Sequence, residues 1–380
     1  MPQHDLTRLS PLDFEELVRD LLAAEWQLPV ESFSPGADGG IDLRATKHEN
    51  GTDSLIVVQC KHYARSPYRT LLRAARSEAD RLTTMTPTPD RYIFATGQQL
   101  TPANKRQISN VFTPWVRTPS DIVGGGDIEN LLARHPEIER RHIKLWLTNT
   151  AVLEQVLHAG LFNRSRIHLE ELASRARLFV PHPALAEIRR VLSEERVCVL
   201  SGAPGVGKTS MADLLALEYM SDGFEVLYVQ DAFEAFSAAT DDSRRQFFVY
   251  DDFLGTVHLG DGASNSADAG LADFVRYVHR TANKRMVLTT REYLFRRAME
   301  QSEILERESG GLNKTVIEIS AYTRLQRAYI LYNHLYWADG LNEEDLNDLL
   351  VDRNWARVID HPNYNPRLVE TAVRMLRRGQ

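Results

Sequence analysis

At 380 residues, and with roughly 150 residues to a domain, the chain is long enough for two or three domains. Hydrophobic residues make up 43% and charged residues 26%, an ordinary globular balance that excludes disordered, collagen-like and low-complexity scaffolds. The formal charge of −7 excludes a globally basic nucleic-acid coat, so any DNA contact must come from a local patch.

In chain order, Phe14, Leu17, Val18, Leu21 and Leu22 fall on one face of a helix that Ser10 or Asp13 could cap. A Gly- and Asp-rich turn, SPGADGGIDLRA, leads into LIVVQCK, a β-branched run with strand character. A helix after Pro67, a strand RYIFATG, a helix from Pro102 to Val111 and a short strand near Trp115 follow. This α/β module ends near Val123, where Gly124 to Gly126 break the chain. Helical character after Pro136, continuing toward Glu171, predicts a packed connector over 124–177. From Leu178 a helix feeds strand RVCVLSG, then strands EVLYVQ, FFVYDD and RMVLTT alternate with helical patterns, the rhythm of a parallel sheet. Gly255 to Gly270 reads as a mobile loop, and the tail from Tyr322 reads as helical. The expected division is therefore 1–123, 124–177, 178–320 and 321–380.

Cys60 and Cys198 each sit among Val, Ile or Leu and read as core residues in a reducing compartment, with no disulfide or zinc site. The N-terminal residues lack the basic and apolar segments of a signal peptide, and runs such as LIVV are too short to span a bilayer. A soluble cytoplasmic protein with no membrane partner is expected.

The most specific motif is GAPGVGKT, Gly202 to Thr209, between a strand and a helix. Its glycines let backbone N–H groups turn toward phosphate oxygens, and the helix N-terminus adds positive potential. Gly202, Pro204, Gly205, Val206, Gly207, Lys208, Thr209 and Ser210 form the expected ATP cradle. Lys208 would bridge the β- and γ-phosphates, and Thr209 would ligate Mg²⁺. FFVYDD ends in two carboxylates: Asp251 is expected on the metal and Asp252 near the attacking water. Arg291, after Thr289 and Thr290, could reach the γ-phosphate or be an ordinary surface arginine.

In the N-terminal module a hairpin could return Asp42 beside Gln59 and Lys61, which share one strand face. Such a set can hold Mg²⁺ and activate water for phosphodiester cleavage, with Glu15 completing the site; the spacing alone also fits an ordinary strand end. Asp42 and Gln59 would bind the metal, and Lys61 would polarise or deprotonate the water. Arg69, Arg73 and Arg76 recur on one helix face, either as a DNA phosphate-binding row or as a solvated face.

FEELVRDLL, GADGGIDL, VVQCKHY and IFATGQQLTPANKRQ resemble the Mrr-type restriction endonuclease domain of the PD-(D/E)xK superfamily, over Leu9 to about Val123. Gln in place of the second acid and Ile41 before Asp42 match that branch. The resemblance implies a Mg²⁺-dependent DNA endonuclease with Asp42, Gln59 and Lys61 as its catalytic set and Glu15 as adjunct. GAPGVGKT, FFVYDD, VLTTR and NPRL resemble the STAND class of signal-transducing P-loop NTPases, from Leu178 to the C-terminus. That resemblance implies a base contact from Pro366 beside Arg367, and usually a repeat-containing sensor beyond; with the sequence ending at Gln380, the sensor is expected to be absent or cut away.

The expected fold is α/β: a restriction-endonuclease-like domain, a helical connector, and a P-loop NTPase domain with a C-terminal helical subdomain. The expected function, similar to that of Avs-like bacterial defence proteins, is antiviral: ATP and a phage-derived trigger assemble a homo-oligomer, for example a tetramer, that cuts double-stranded DNA. Two alternatives are an ATP-dependent type IV-like restriction enzyme acting on modified DNA and a nucleotide-gated DNA-binding scaffold without cleavage.

Overall fold

Ser10 starts the first long helix, α1 (Pro11–Trp26), through a capping box: its hydroxyl accepts from the Asp13 N–H at 3.2 Å, and the Asp13 carboxylate accepts from the Ser10 N–H at 2.9 Å. The two candidate caps thus act together. The computed structural model describes residues 4–33, 41–49, 52–146, 175–239, 243–253, 264–294, 312–338, 341 and 343–376. It divides into two compact units, 1–153 and 154–380.

In the first unit, strands β1 (Glu31–Ser32), β2 (Leu43–Glu49), β3 (Thr52–Lys61), β4 (Arg91–Thr96) and β5 (Ile122–Val123) lie side by side in sequence order. The β1–β2 and β2–β3 pairs are antiparallel, and β3–β4 and β4–β5 are parallel. Helices α2 (Tyr68–Leu82) and α3 (Pro102–Val111) cover one face, packing Leu71, Ala75, Ile108 and Phe112 on Val57, Tyr92 and Phe94. Helix α1 covers the other face, where Phe14, Leu17, Val18 and Leu21 meet Leu43, Val58 and Ile93. Each such side chain contributes roughly 1.5–3 kcal/mol by burial.

The strand expected near Trp115 is a turn instead. Its carbonyl accepts one hydrogen bond, from the Tyr92 N–H at 3.0 Å, and the nearby Pro114 and Pro119 have no N–H with which to extend a ladder. The edge position is taken by β5. Nor do Gly124 to Gly126 end the unit: Gly124 caps α4 (Gly125–Arg134), followed by α5 (Pro136–Arg141) and α6 (Ile143–Trp146). Ile128, Leu131, Ile138 and Leu145 from these helices join the α1 core, so the expected connector is built into the first unit as far as Trp146. Its remainder, 147–174, lies outside the described residues.

Ion pairs tie these helices to α1. Lys144 is buried against Asp13 at 2.6 Å, and His142 meets Asp20 at 3.0 Å. His4 meets Glu129 at 2.8 Å and Glu139 at 3.0 Å. Burial alone would lower the His4 pKa, but the two carboxylates outweigh it and raise the value from 6.5 to about 9. A folded-state pKa raised this way adds stability that is fully present below pH 6.5 and is lost as pH rises through about 9. Thermal unfolding of the full chain from pH 6 to 10 should therefore show the advantage of wild type over His4→Gln shrinking as alkalinity increases.

In the second unit α7 (Ala184–Glu194) precedes a five-stranded, all-parallel sheet of β6 (Val197–Gly202), β7 (Glu225–Tyr228), β8 (Gln246–Tyr250), β9 (Lys284–Arg291) and β10 (Val316–Ile319). Its order is β10-β6-β9-β8-β7. Helices α8 (Lys208–Ser221), α9 (Ala232–Ala238) and α10 (Ser264–Arg280) separate the strands in sequence. Leu271, Phe274, Val275 and Val278 form the buried stripe of α10, and the helix they anchor begins at Ser264. That replaces the mobile loop expected over 264–270; the earlier part of that loop, 255–263, is outside the described residues. Helices α11 (Arg324–Tyr336), α12 (Glu343–Leu350), α13 (Asn354–Ile359) and α14 (Pro366–Leu376) follow, and Ile330, Ile359, Val369 and Val373 share a core with Val180 and Tyr322.

Candidate active site and nucleotide site

The β2–β3 register pairs Leu43 with Val58, which brings the preceding Asp42 level with Gln59. Asp42 Oδ2 accepts from Gln59 Nε2 at 2.5 Å and from the Cys60 backbone N–H at 2.7 Å. Burial raises the Asp42 pKa; the Cys60 N–H, Lys61 and Gln59 oppose that rise, and Glu78 adds to it. Gln59 is 2% exposed, and its Oε1 finds no hydrogen-bond donor among the described residues. An orphaned buried amide oxygen beside a carboxylate suits a hard divalent cation, whose preferred ligands are oxygens. The donor set therefore fits Mg²⁺, with Asp42 and Gln59 as the residues that would hold it.

Val57 packs under α2 and Val58 under α1, so the alternation of β3 turns Gln59 and Lys61 toward the α2 face and Cys60 toward α1. Glu15 stands on α1, covering the opposite face from Gln59 and Lys61, and its charge is felt at Cys60. Burial is the main cause of the Cys60 thiol's raised pKa, with Asp42 and Glu15 adding to it. The carboxylate that meets Lys61 is Glu78 on α2, at 2.9 Å. Sequence reasoning missed it. The available signal was an acid in the stripe Leu71, Ala75, Glu78 and Leu82, all four buried in α2. Arg69, Arg73 and Arg76 are exposed on the same helix and form no ion pair with a described residue.

Buried Gln98 fixes the loop after β3, donating to the Tyr63 carbonyl at 2.9 Å and the Ser66 carbonyl at 2.7 Å. His62 Nε2 meets the Leu6 carbonyl at 2.8 Å, so the end of β3 is held from both sides. A β-carbon at Gly97 would crowd this turn, lying 3.0 Å from the His62 carbonyl oxygen.

In the second unit the loop after β6 turns with Gly205 at φ 78° and Gly207 at φ 100°, conformations that favour glycine. Lys208 Nζ donates to the Gly202 and Ala203 carbonyls, each at 2.9 Å. Burial lowers the Lys208 pKa, and Asp252 and Asp251 oppose that. Because β9 separates β6 from β8, Thr289 stands between the loop and the two acids. Thr209 Oγ1 donates to Asp251 Oδ1 at 2.9 Å, and Thr289 Oγ1 donates to the same oxygen at 2.5 Å. Thr289 also accepts from the Asp252 N–H at 2.8 Å, which holds Asp252 at φ 48°. Thr289 thus organises both acids, a role its place at a strand end gave no means to assign. Arg291 lies 3.5 Å from the Asp252 carboxylate, with both side chains more than 40% exposed, so the pair is worth little.

Pro366, half-buried, opens α14, but the residue that reaches the loop is Asn365. Its Nδ2 donates to the Pro204 carbonyl at 2.9 Å, and a methyl group on Gly205 would overlap its side chain. The donors of the loop, Lys208, and the Thr209–Asp251 pair fit a nucleotide phosphate chain with a divalent cation.

Residues 6–111 match the family described as Restriction endonuclease (Mrr_cat), and residues 179–337 match Novel STAND NTPase 3. The chain is 35% identical over 202 residues to uncharacterized protein y4cD of Sinorhizobium fredii, covering 53% of this chain and 30% of that relative. The chain therefore spans about a third of the length of this curated relative. Among solved structures, AMPPCP-bound DnaA from Aquifex aeolicus is similar at 14% identity and a TM-score of 0.37, over 52% of this chain and 63% of that one. Domain III of the replication initiation protein DnaA from Thermotoga maritima is similar at 17% and 0.38, over 53% and 85%. Taken with the two folds, the family matches make this chain a fusion of an N-terminal restriction-endonuclease domain of the Mrr type with a STAND NTPase domain.

Proposed function

We propose that the chain is a Mg²⁺-dependent DNA endonuclease whose activity is switched on when ATP assembles its STAND modules into a homo-oligomer, serving antiviral defence. The observation that carries the nuclease half is the Asp42–Gln59 contact, with Gln59 Oε1 buried and unpartnered beside it. Bound there, Mg²⁺ would polarise a phosphodiester and make its water a better nucleophile. Asp42 supplies the charge that holds the cation, and Gln59 supplies a neutral oxygen. Lys61, on the same strand face, presents its ammonium to the phosphate or the attacking water. Arg69, Arg73 and Arg76 hold flanking backbone phosphates without reading bases.

In the second unit the loop N–H groups and Lys208 bind ATP phosphates, and Lys208 exchanges the Gly202 and Ala203 carbonyls for phosphate oxygens. Thr209 and Asp251 are the metal-side residues there, Asp252 faces the water, and Arg291 and Pro366 are proposed for the γ-phosphate and the base. A trigger, proposed to be of phage origin, would favour the assembled state, and assembly would bring nuclease units together on double-stranded DNA. Among the described residues no helix is long and apolar enough to cross a membrane.

Supercoiled plasmid incubated with the full chain, ATP and Mg²⁺ should be nicked or linearised, and EDTA should prevent it. Intact plasmid under all conditions would leave the scaffold reading, which neutral Gln59 keeps open. Replacing Arg69, Arg73 and Arg76 together by Ala should weaken DNA binding and reduce its log–log salt slope by about 2.7, at about 0.9 per lost phosphate contact. An unchanged slope in a salt titration would assign the three arginines to a solvated face.

A further inference from the structure

Helix α2 presents the stripe Leu71, Ala75, Glu78 and Leu82 to the sheet. Three of these are ordinary core residues, but Glu78 is a carboxylate at 5% exposure. Burying a lone carboxylate costs several kcal/mol, so the position demands a cationic partner. Two are supplied. Arg81 lies 3.1 Å from Glu78 Oε1 but is 63% exposed, so water screens it. Lys61 Nζ lies 2.9 Å from the same oxygen at 23% exposure, and is the stronger tie.

That tie falls on the lysine that shares a strand face with Gln59. We propose that Glu78 is a positioning residue for the nuclease: from α2 it fixes the Lys61 ammonium on the strand face that carries Gln59. The proposal rests on the nuclease reading above. It follows from three placements. Glu78 faces the sheet from α2, on the side to which Gln59 and Lys61 point. Glu15 stands on α1, across the sheet. Gln59 is neutral, and among the described residues Glu78 is a carboxylate on that face whose charge is felt at Asp42. A lysine has a long, flexible stem, and holding its head in one place removes rotamer freedom that would otherwise be lost at the moment of reaction. Glu78 therefore acts through Lys61 and need not touch DNA or metal.

The test uses the full chain with ATP, Mg²⁺ and supercoiled plasmid, comparing wild type, Glu78→Gln and Glu78→Asp. Glu78→Gln is isosteric and should leave the melting temperature and DNA affinity near those of wild type while slowing single-turnover cleavage by about 10–100-fold, the usual range for losing a supporting partner. Glu78→Asp, with charge kept and reach shortened, should recover part of that loss. Wild-type cleavage with unimpaired Glu78→Gln overturns the positioning role and leaves the nuclease reading standing. So does a loss of rate that only tracks a loss of folded protein or of DNA affinity, with no recovery in Glu78→Asp. Wild-type protein that cuts nothing overturns the nuclease reading and this proposal with it.

Discussion

Asp42→Ala should lower DNA cleavage by about 10³-fold while ATP binding is unchanged. The cation expected at this site contributes several kcal/mol of charge stabilisation, and each 1.4 kcal/mol is about tenfold in rate. Among the described residues no neighbouring carboxylate is free to take over: Gln59 is neutral, and Glu78 is committed to Lys61 and Arg81. Alanine also leaves the Cys60 N–H and the Gln59 amide without their acceptor, a cost of about 1–3 kcal/mol in stability. Asp42→Asn is the cleaner variant, because an amide oxygen still accepts from Cys60 while the charge is gone. Plasmid cleavage and thermal melting of both variants separate the two effects. Cleavage by Asp42→Asn at the wild-type rate would place the active site elsewhere.

Lys208→Ala should weaken nucleotide binding by about two orders of magnitude, the scale of one or two charge-assisted hydrogen bonds. Its removal should cost the fold little, since Lys208 only caps the carbonyls of Gly202 and Ala203 and remains half-buried. The larger consequence is expected in the other unit: DNA cleavage should lose its response to ATP although Asp42, Gln59 and Lys61 are untouched. Filter binding with labelled ATP checks the first effect, and a plasmid assay with and without ATP checks the second. Wild-type affinity would remove Lys208 from the phosphate site. Lost affinity with undiminished ATP-stimulated cutting would separate the two modules.

The parts of the sites that were legible in the sequence are those fixed by local pattern. The P-loop is contiguous, so its glycines, Lys208 and Thr209 declare themselves by spacing, and the apolar strand ending in Asp251 follows the same logic. The Asp42–Gln59 meeting was foreseeable because a hairpin is a short-range fold and side chains two apart share a face. What escaped depends on packing between distant segments. Glu78 looks like any acid in a charged helix until the sheet is laid against Leu71 and Ala75. Thr289 gains its meaning only when β9 enters the sheet between β6 and β8. Helices α4 to α6 have the mixed charge of a connector, and only their burial against α1 draws them into the first unit. Strand β10 has just four residues, and pairing with β6 rather than its own propensity defines it.

The central claim is that nucleotide in the second unit controls cutting by the first through assembly. It is tested most directly by measuring particle mass and plasmid cleavage in the same samples of full chain, with ATP and Mg²⁺, with ADP and Mg²⁺, and with EDTA, for wild type and Lys208→Ala. The expected result is that larger particles and cut plasmid appear together, only in wild type and only with ATP and Mg²⁺. A monomer that cuts at full rate without nucleotide, or an ATP-dependent assembly that leaves the plasmid intact, would contradict it.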